Sequence, residues 1–117
     1  MYLTIVRIFP NADEQEAIRG FLSALLRPVC AQLGCLGCSL AVESDPDALV
    51  LTETWESERD LVRRLQSEGY AKVLATMEMS TKKPEVLIYE VVSQHGLESI
   101  EGVRIVRGVA APNGFHL

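Results

Sequence analysis

The sequence predicts an α+β fold in which one four-stranded antiparallel sheet carries two helices on one of its faces. Three observations predict it. Short runs of β-branched and aromatic residues alternate with two long stretches of helical period, in the order β-α-β-β-α-β. A short Asp/Pro turn, 44–47, falls between the second and third strands and makes them a hairpin. The 117 residues, 48% of them apolar, suit one domain and leave no room for two.

Residues 2–9, YLTIVRIF, form the first strand and are stopped by Pro10. Asn11 stands three residues ahead of Glu14, a spacing at which an Asn oxygen caps a helix and the carboxylate reaches back. From Asp13 to Leu33, the residues Ala17, Ile18, Phe21, Leu22, Leu25, Leu26, Val29 and Leu33 recur at threes and fours and make one apolar face. Pro28 predicts a bend near Arg27, and Gly34 suits the left-handed position that ends a helix.

Residues 35–43 and 48–56 are the hairpin strands. Ser57 with Asp60 repeats the capping spacing, and Leu61, Val62, Leu65, Tyr70, Val73, Leu74 and Met77 carry a second helical face to about Met79, with a break at Gly69. Lys82-Lys83-Pro84 closes that helix, and 85–92, EVLIYEVV, is the fourth strand. The order favours the ferredoxin-like arrangement. Residues 1–92 then form the domain, and 93–117, with four glycines and a β-prone VRIVR at 103–107, form a C-terminal extension without a helix signal.

A net charge of −5 with no basic face excludes the phosphate-neutralising surface that nucleic acid requires. The amino terminus lacks the pattern of a secretory leader, and no apolar run is long enough to span a bilayer, so a cytoplasmic protein without a membrane partner is expected. Three cysteines, Cys30, Cys35 and Cys38, are then expected to be reduced. The Cys35-x-x-Cys38 spacing matches redox and zinc motifs. Its place on a strand, where residues three apart face opposite sides, and the lack of nearby histidines favour structural thiols and no metal.

A sheet covered on one face alternates apolar and polar residues, but these strands do not. Val86, Ile88 and Val92 oppose Leu87, Tyr89 and Val91, and Tyr2, Val6 and Ile8 oppose Leu3, Ile5 and Phe9. Two helices cover one face only. The second cover is expected to be the sheet of an identical subunit, with the extension packing on its own sheet or exchanging with the partner.

The stretch GCLGCSLAVESDPDALVLTETWESERDLVRRLQSEGYAKVL, residues 34–74, resembles the core of the antibiotic biosynthesis monooxygenase family. Gly34-Cys35, Asp45-Pro46, Glu53, Trp55 and Ser57 fill its motif positions, and Leu61, Ser67 and Tyr70 continue them. The resemblance implies a dimeric α/β barrel with a pocket between each sheet and its helices. The usual family His, nine residues after the Trp, is replaced here by Arg64. The haem-degrading branch has a His where this chain has Leu74, and an Asn on the first strand that is missing here, so haem degradation is rejected.

Glu53 and Trp55 share a strand face, so the indole could stack on a flat substrate while the desolvated carboxylate, its pKa raised, takes a phenolic proton. The same pair also fits a core Trp beside a Glu that binds backbone or arginine. Arg59, Arg63 and Arg64 fit a receptor for a substrate carboxylate, a contact across the dimer, or a solvated helix face. Tyr70, Met77 and Tyr89 are pocket liners or core. With no Gly-rich phosphate loop, no cofactor is expected. Two functions are consistent with these residues. One is a cofactor-independent monooxygenase acting on a quinol or polyketide-type phenol, as the resemblance implies. The other is a catalytically silent dimer that binds a small ligand or a protein.

Overall fold

The computed structural model describes residues 1–106. The elements are β1 (Tyr2–Ile8), α1 (Gln15–Cys30), β2 (Cys35–Glu43), β3 (Ala48–Trp55), α2 (Glu58–Leu65), α3 (Glu68–Met77), β4 (Glu85–Glu90) and α4 (Leu97–Val106). The strands form one antiparallel sheet in the order β2-β3-β1-β4, the ferredoxin-like topology that the element order predicts. None of the described helices is long and apolar enough to cross a membrane.

The register decides which side chains meet. Val6 lies opposite Leu51 and Val86, and Thr4 opposite Glu53 and Ile88. With the two-residue period of a strand, Thr4, Val6 and Ile8 therefore share a face with Leu49, Leu51, Glu53 and Trp55, and all seven are buried. Ile18, Leu22 and Leu26 of α1 and Tyr70 and Val73 of α3 close over the middle of that face. Val29 and Leu61 close over Trp55 at its end. Burying a side chain such as Leu22 contributes about 1.5–3 kcal/mol, so this face dominates the stability of the fold.

Local chemistry moves several boundaries from those expected. Asn11 does not cap α1. Its side-chain amide donates to the Glu14 carboxylate and its backbone oxygen accepts from the Glu14 N–H, so the helix begins later, with Glu14 as the cap residue. Pro28 lies within the last turn of α1 and does not divide it. Gly34 is not the end of α1 but the entry to β2. Its φ of +88° is left-handed, its oxygen accepts from the Glu56 N–H, and a Cβ there would collide with the Asp60 carboxylate.

The second helical stretch breaks before Ser67 and not at Gly69. The Ser67 hydroxyl donates to the Arg64 carbonyl, ending α2, and accepts from the Tyr70 N–H, starting α3. Ser57 caps α2 as its spacing predicts, accepting from the Asp60 N–H. Ser57→Ala is expected to destabilise the protein by about 1 kcal/mol, measurable by denaturant unfolding.

The expectation of no helix after residue 92 is overturned by α4. Glu98 accepts from the Gly96 N–H where the helix starts, and Leu97, Glu98, Glu101 and Arg104 favour helix more than the β-branched residues among them oppose it. VRIVR lies in α4 as far as Val106, and its last residue falls outside the described residues.

Apolar side chains do stand on both faces of the sheet. Leu87 and Tyr89 on the face away from the helices are 41% and 47% exposed. Val86 and Ile88 on the helix side of the same edge strand are also exposed, because the helices stop short of β4.

Candidate functional site

The most buried polar cluster in the described fold joins β3 to α2. Arg64 and Glu53 form a two-pronged ion pair, Nε to Oε1 at 2.9 Å and Nη2 to Oε2 at 2.9 Å. Their side chains are each only 2% exposed. Trp55 Nε1 donates to Glu53 Oε1 at 3.1 Å, so both carboxylate oxygens are engaged. The Tyr70 ring lies beneath the guanidinium, 5.0 Å from its carbon to the ring centre. Among the described residues no buried side-chain nitrogen or oxygen lacks a hydrogen-bond partner.

Each side chain is delivered by a local rule. Glu53 and Trp55 are two apart on β3, which has β1 on one side and β2 on the other, so neither reaches an edge. Leu61 and Arg64 are three apart on α2 and point the same way, into the sheet, with the phase of the helix set by the Ser57 cap. Ser67 then turns the chain so that Tyr70 comes up under Arg64. A guanidinium fork matches a carboxylate better than any other cation, which suits Arg to this buried place.

Burial pushes the Tyr70 phenol above its usual range, the Glu53 charge pushes it further, and Arg64 opposes both. A folded-state pKa above the unfolded one means that the phenol's contribution is intact below about pH 10 and is lost as pH rises through the folded value. Denaturant unfolding at intervals between about pH 9 and 11 is expected to show a loss of stability that Tyr70→Phe removes.

Of the six side chains singled out in the sequence, Glu53, Trp55, Arg64 and Tyr70 come together, whereas Met77 and Tyr89 do not join them. Met77 is half-buried against the central core, and Tyr89 stands on the opposite face of the sheet. Arg59 and Arg63 lie on the exposed side of α2, with Arg63 paired to Asp60, so the solvated-face reading holds for them and fails for Arg64. Thr4 and Cys38 sit opposite Glu53 on the neighbouring strands and belong to its surroundings; Thr4 was not singled out, and Cys38 was weighed only as a thiol. Only the pairing register reveals them.

Among the open grooves of the described fold, two are lined mainly by apolar surface from outside this cluster. One, of about 300 Å³, lies between α1 and α3 and is lined by Ala17, Ile18, Phe21, Ala75, Thr76 and Met79. It is far from Trp55, whose cover Val29 follows Ile18 by eleven residues, roughly 16 Å along a helix. The other, about 410 Å³, lies against the uncovered sheet face at Leu3, Leu36, Thr54 and Val91. Among the described residues no group of three or more His, Cys, Asp or Glu is placed to hold a metal ion.

The cysteines depart from expectation. Cys30 and Cys38 are joined by a disulfide with a Cα–Cα distance of 5.8 Å, and Cys35 is free. A bulge between Cys35 and Gly37 shifts the register, so Cys35 and Cys38 both pair toward the helix side, against the alternation expected of a regular strand. Cys38 thereby meets the end of α1.

The fold and this closed acidic-basic cluster define a ferredoxin-like α+β protein with a buried polar brace under its helices. The family model described as antibiotic biosynthesis monooxygenase matches residues 1–76, and the chain belongs to that family. Solved structures agree in fold. Rv0793 from Mycobacterium tuberculosis is 27% identical, with a TM-score of 0.72 over 81% of this chain and 98% of that one. A protein from Deinococcus radiodurans described as a candidate antibiotic biosynthesis monooxygenase is 16% identical, with a TM-score of 0.74 over 83% of this chain and 98% of that one. PA3566 from Pseudomonas aeruginosa is 20% identical, with a TM-score of 0.66 over 79% and 94%. No curated protein matches the chain by sequence.

Proposed function

We propose that this protein is a cytoplasmic homodimer that binds a small apolar molecule and is catalytically silent toward quinols. One observation carries this reading: both oxygens of Glu53 are held by Arg64 and Trp55, and the residue is 1% exposed. A general base has to come within hydrogen-bond reach of the proton it takes, and a stacking indole has to offer a face. Glu53 has no free oxygen, and Trp55 is packed under Val29 and Leu61. The groove between α1 and α3 offers apolar walls, and its one buried hydroxyl, on Thr76, is already bonded to the Val73 carbonyl. That lining suits an apolar ligand near the lower end of the usual size for ligand pockets. The apolar face bearing Leu87 and Tyr89 supports a second copy as its cover.

The second reading is a cofactor-independent monooxygenase acting on a quinol or polyketide-type phenol. It is favoured by the convergence of Glu53, Trp55, Arg64 and Tyr70 in one water-excluded cluster of a family named for this chemistry. It requires Arg64 to leave Glu53 before the carboxylate can take a proton.

Oxygen consumption with a panel of quinols and polyphenols separates the two. The wild-type protein, Glu53→Gln and Trp55→Ala are all expected to consume no oxygen above buffer. Uptake by the wild type that disappears in Glu53→Gln while the dimer persists would replace the first reading with the second.

A further inference from the structure

We propose that Cys30 and Cys38 form a reversible redox clamp that controls solvent access to the Trp55 cluster. Cys30 is the last residue of α1 and is exposed, whereas Cys38 lies in β2, an edge strand of the sheet. Val29, immediately before Cys30, is the α1 residue that covers Trp55, with Leu61 beside it and Cys35 packed at the margin. Cys38 is the cross-strand neighbour of Glu53. The bond therefore ties the lid of the cluster to the strand beside its carboxylate.

The turn that carries the lid is intrinsically weak. Pro28 has no N–H to donate to the preceding turn, so the end of α1 is short of one helical hydrogen bond. β2 is paired on one side only, to β3. With the sulfurs joined, these two weak elements hold each other. With the sulfurs free, the last turn of α1 is held by the burial of Val29 and by the backbone N–H groups of Ala31 and Gln32, and local opening there uncovers Trp55.

The chemistry is thiol–disulfide exchange with a cellular thiol of the glutathione class. The reductant's thiolate attacks the sulfur of Cys30, the exposed residue of the pair, the bond to Cys38 breaks, and Cys38 leaves as a thiolate that takes up a proton. A second reductant thiolate attacks the mixed disulfide. It releases Cys30, which is protonated in turn, and leaves the reductant as its own disulfide. Two electrons and two protons reach the protein, and oxidised glutathione runs the sequence backwards. A reducing cytoplasm holds the clamp open, and oxidising conditions close it.

Trp55 is the single tryptophan in the chain, so its fluorescence reports access directly. The test combines acrylamide quenching with counting of alkylated thiols, after equilibration with oxidised or reduced glutathione. Oxidised wild-type protein is expected to show one free thiol and weak quenching. Reduced protein is expected to show three free thiols and a quenching constant at least about twofold higher. Cys30→Ser should show the higher constant in both buffers, and Cys35→Ser should behave as wild type. Equal quenching in the two states while the bond is made and broken overturns the proposal. So does a protein in which Cys30 and Cys38 remain thiols under oxidised glutathione.

Discussion

Replacing Arg64 with methionine is expected to lower the unfolding free energy by about 3–5 kcal/mol, because Glu53 then remains buried without its counter-charge. The side chain of Arg64 is 2% exposed, so water cannot take the place of the guanidinium. Glu53→Leu alone should cost about as much, since it leaves the guanidinium unpaired and removes the acceptor of the Trp55 N–H. The double variant, Glu53→Leu with Arg64→Met, is expected to recover most of the loss, because an apolar pair of similar volume is often as stable as a buried ion pair. Denaturant unfolding at one protein concentration, analysed as a double-mutant cycle, measures the coupling. A single variant as stable as the wild type would mean that the pair is not closed in solution.

Leu87→Asp is expected to weaken self-association at least about a hundredfold, the effect of burying a carboxylate without a partner in an interface. Leu87 lies on the uncovered sheet face beside β1, where Leu3 and Ile5 are half-buried and Tyr89 is exposed. Sedimentation at micromolar concentration should find wild-type dimer and variant monomer. A wild-type chain that sediments as a folded monomer removes the homodimer from the proposal.

Much of the fold was legible because it is written in periods. The three-and-four spacing from Ile18 to Val29 and the run EVLIYEVV identify their elements without knowledge of tertiary contacts. What misled was competition among local hydrogen bonds. Asn11 spends its amide on Glu14 in place of a cap, Ser67 outranks Gly69 as the break, and the β-branched residues of 103–107 are carried into a helix by their neighbours.

The candidate site was legible in its membership and not in its state. Glu53 and Trp55 share a face by spacing alone, and Arg64 stands where the family usually has His. That Arg64 points inward while Arg63, its neighbour in sequence, points outward follows from its place three residues after the buried Leu61 on α2. The disulfide runs against the expectation of reduced thiols, which rested on an odd cysteine count and a reducing compartment. One bulge in β2 changes which side Cys38 faces, and no alternation count detects a bulge.

A silent site requires Arg64 to stay on the Glu53 carboxylate. Proton–nitrogen NMR of the arginine side chains tests it most directly. The Arg64 Nε–H is expected to be protected from exchange with solvent and to lose its protection in Glu53→Gln, while those of Arg59 and Arg63 exchange rapidly. Rapid exchange of the Arg64 Nε–H in the wild-type protein would contradict it and return Glu53 to the role of an accessible base.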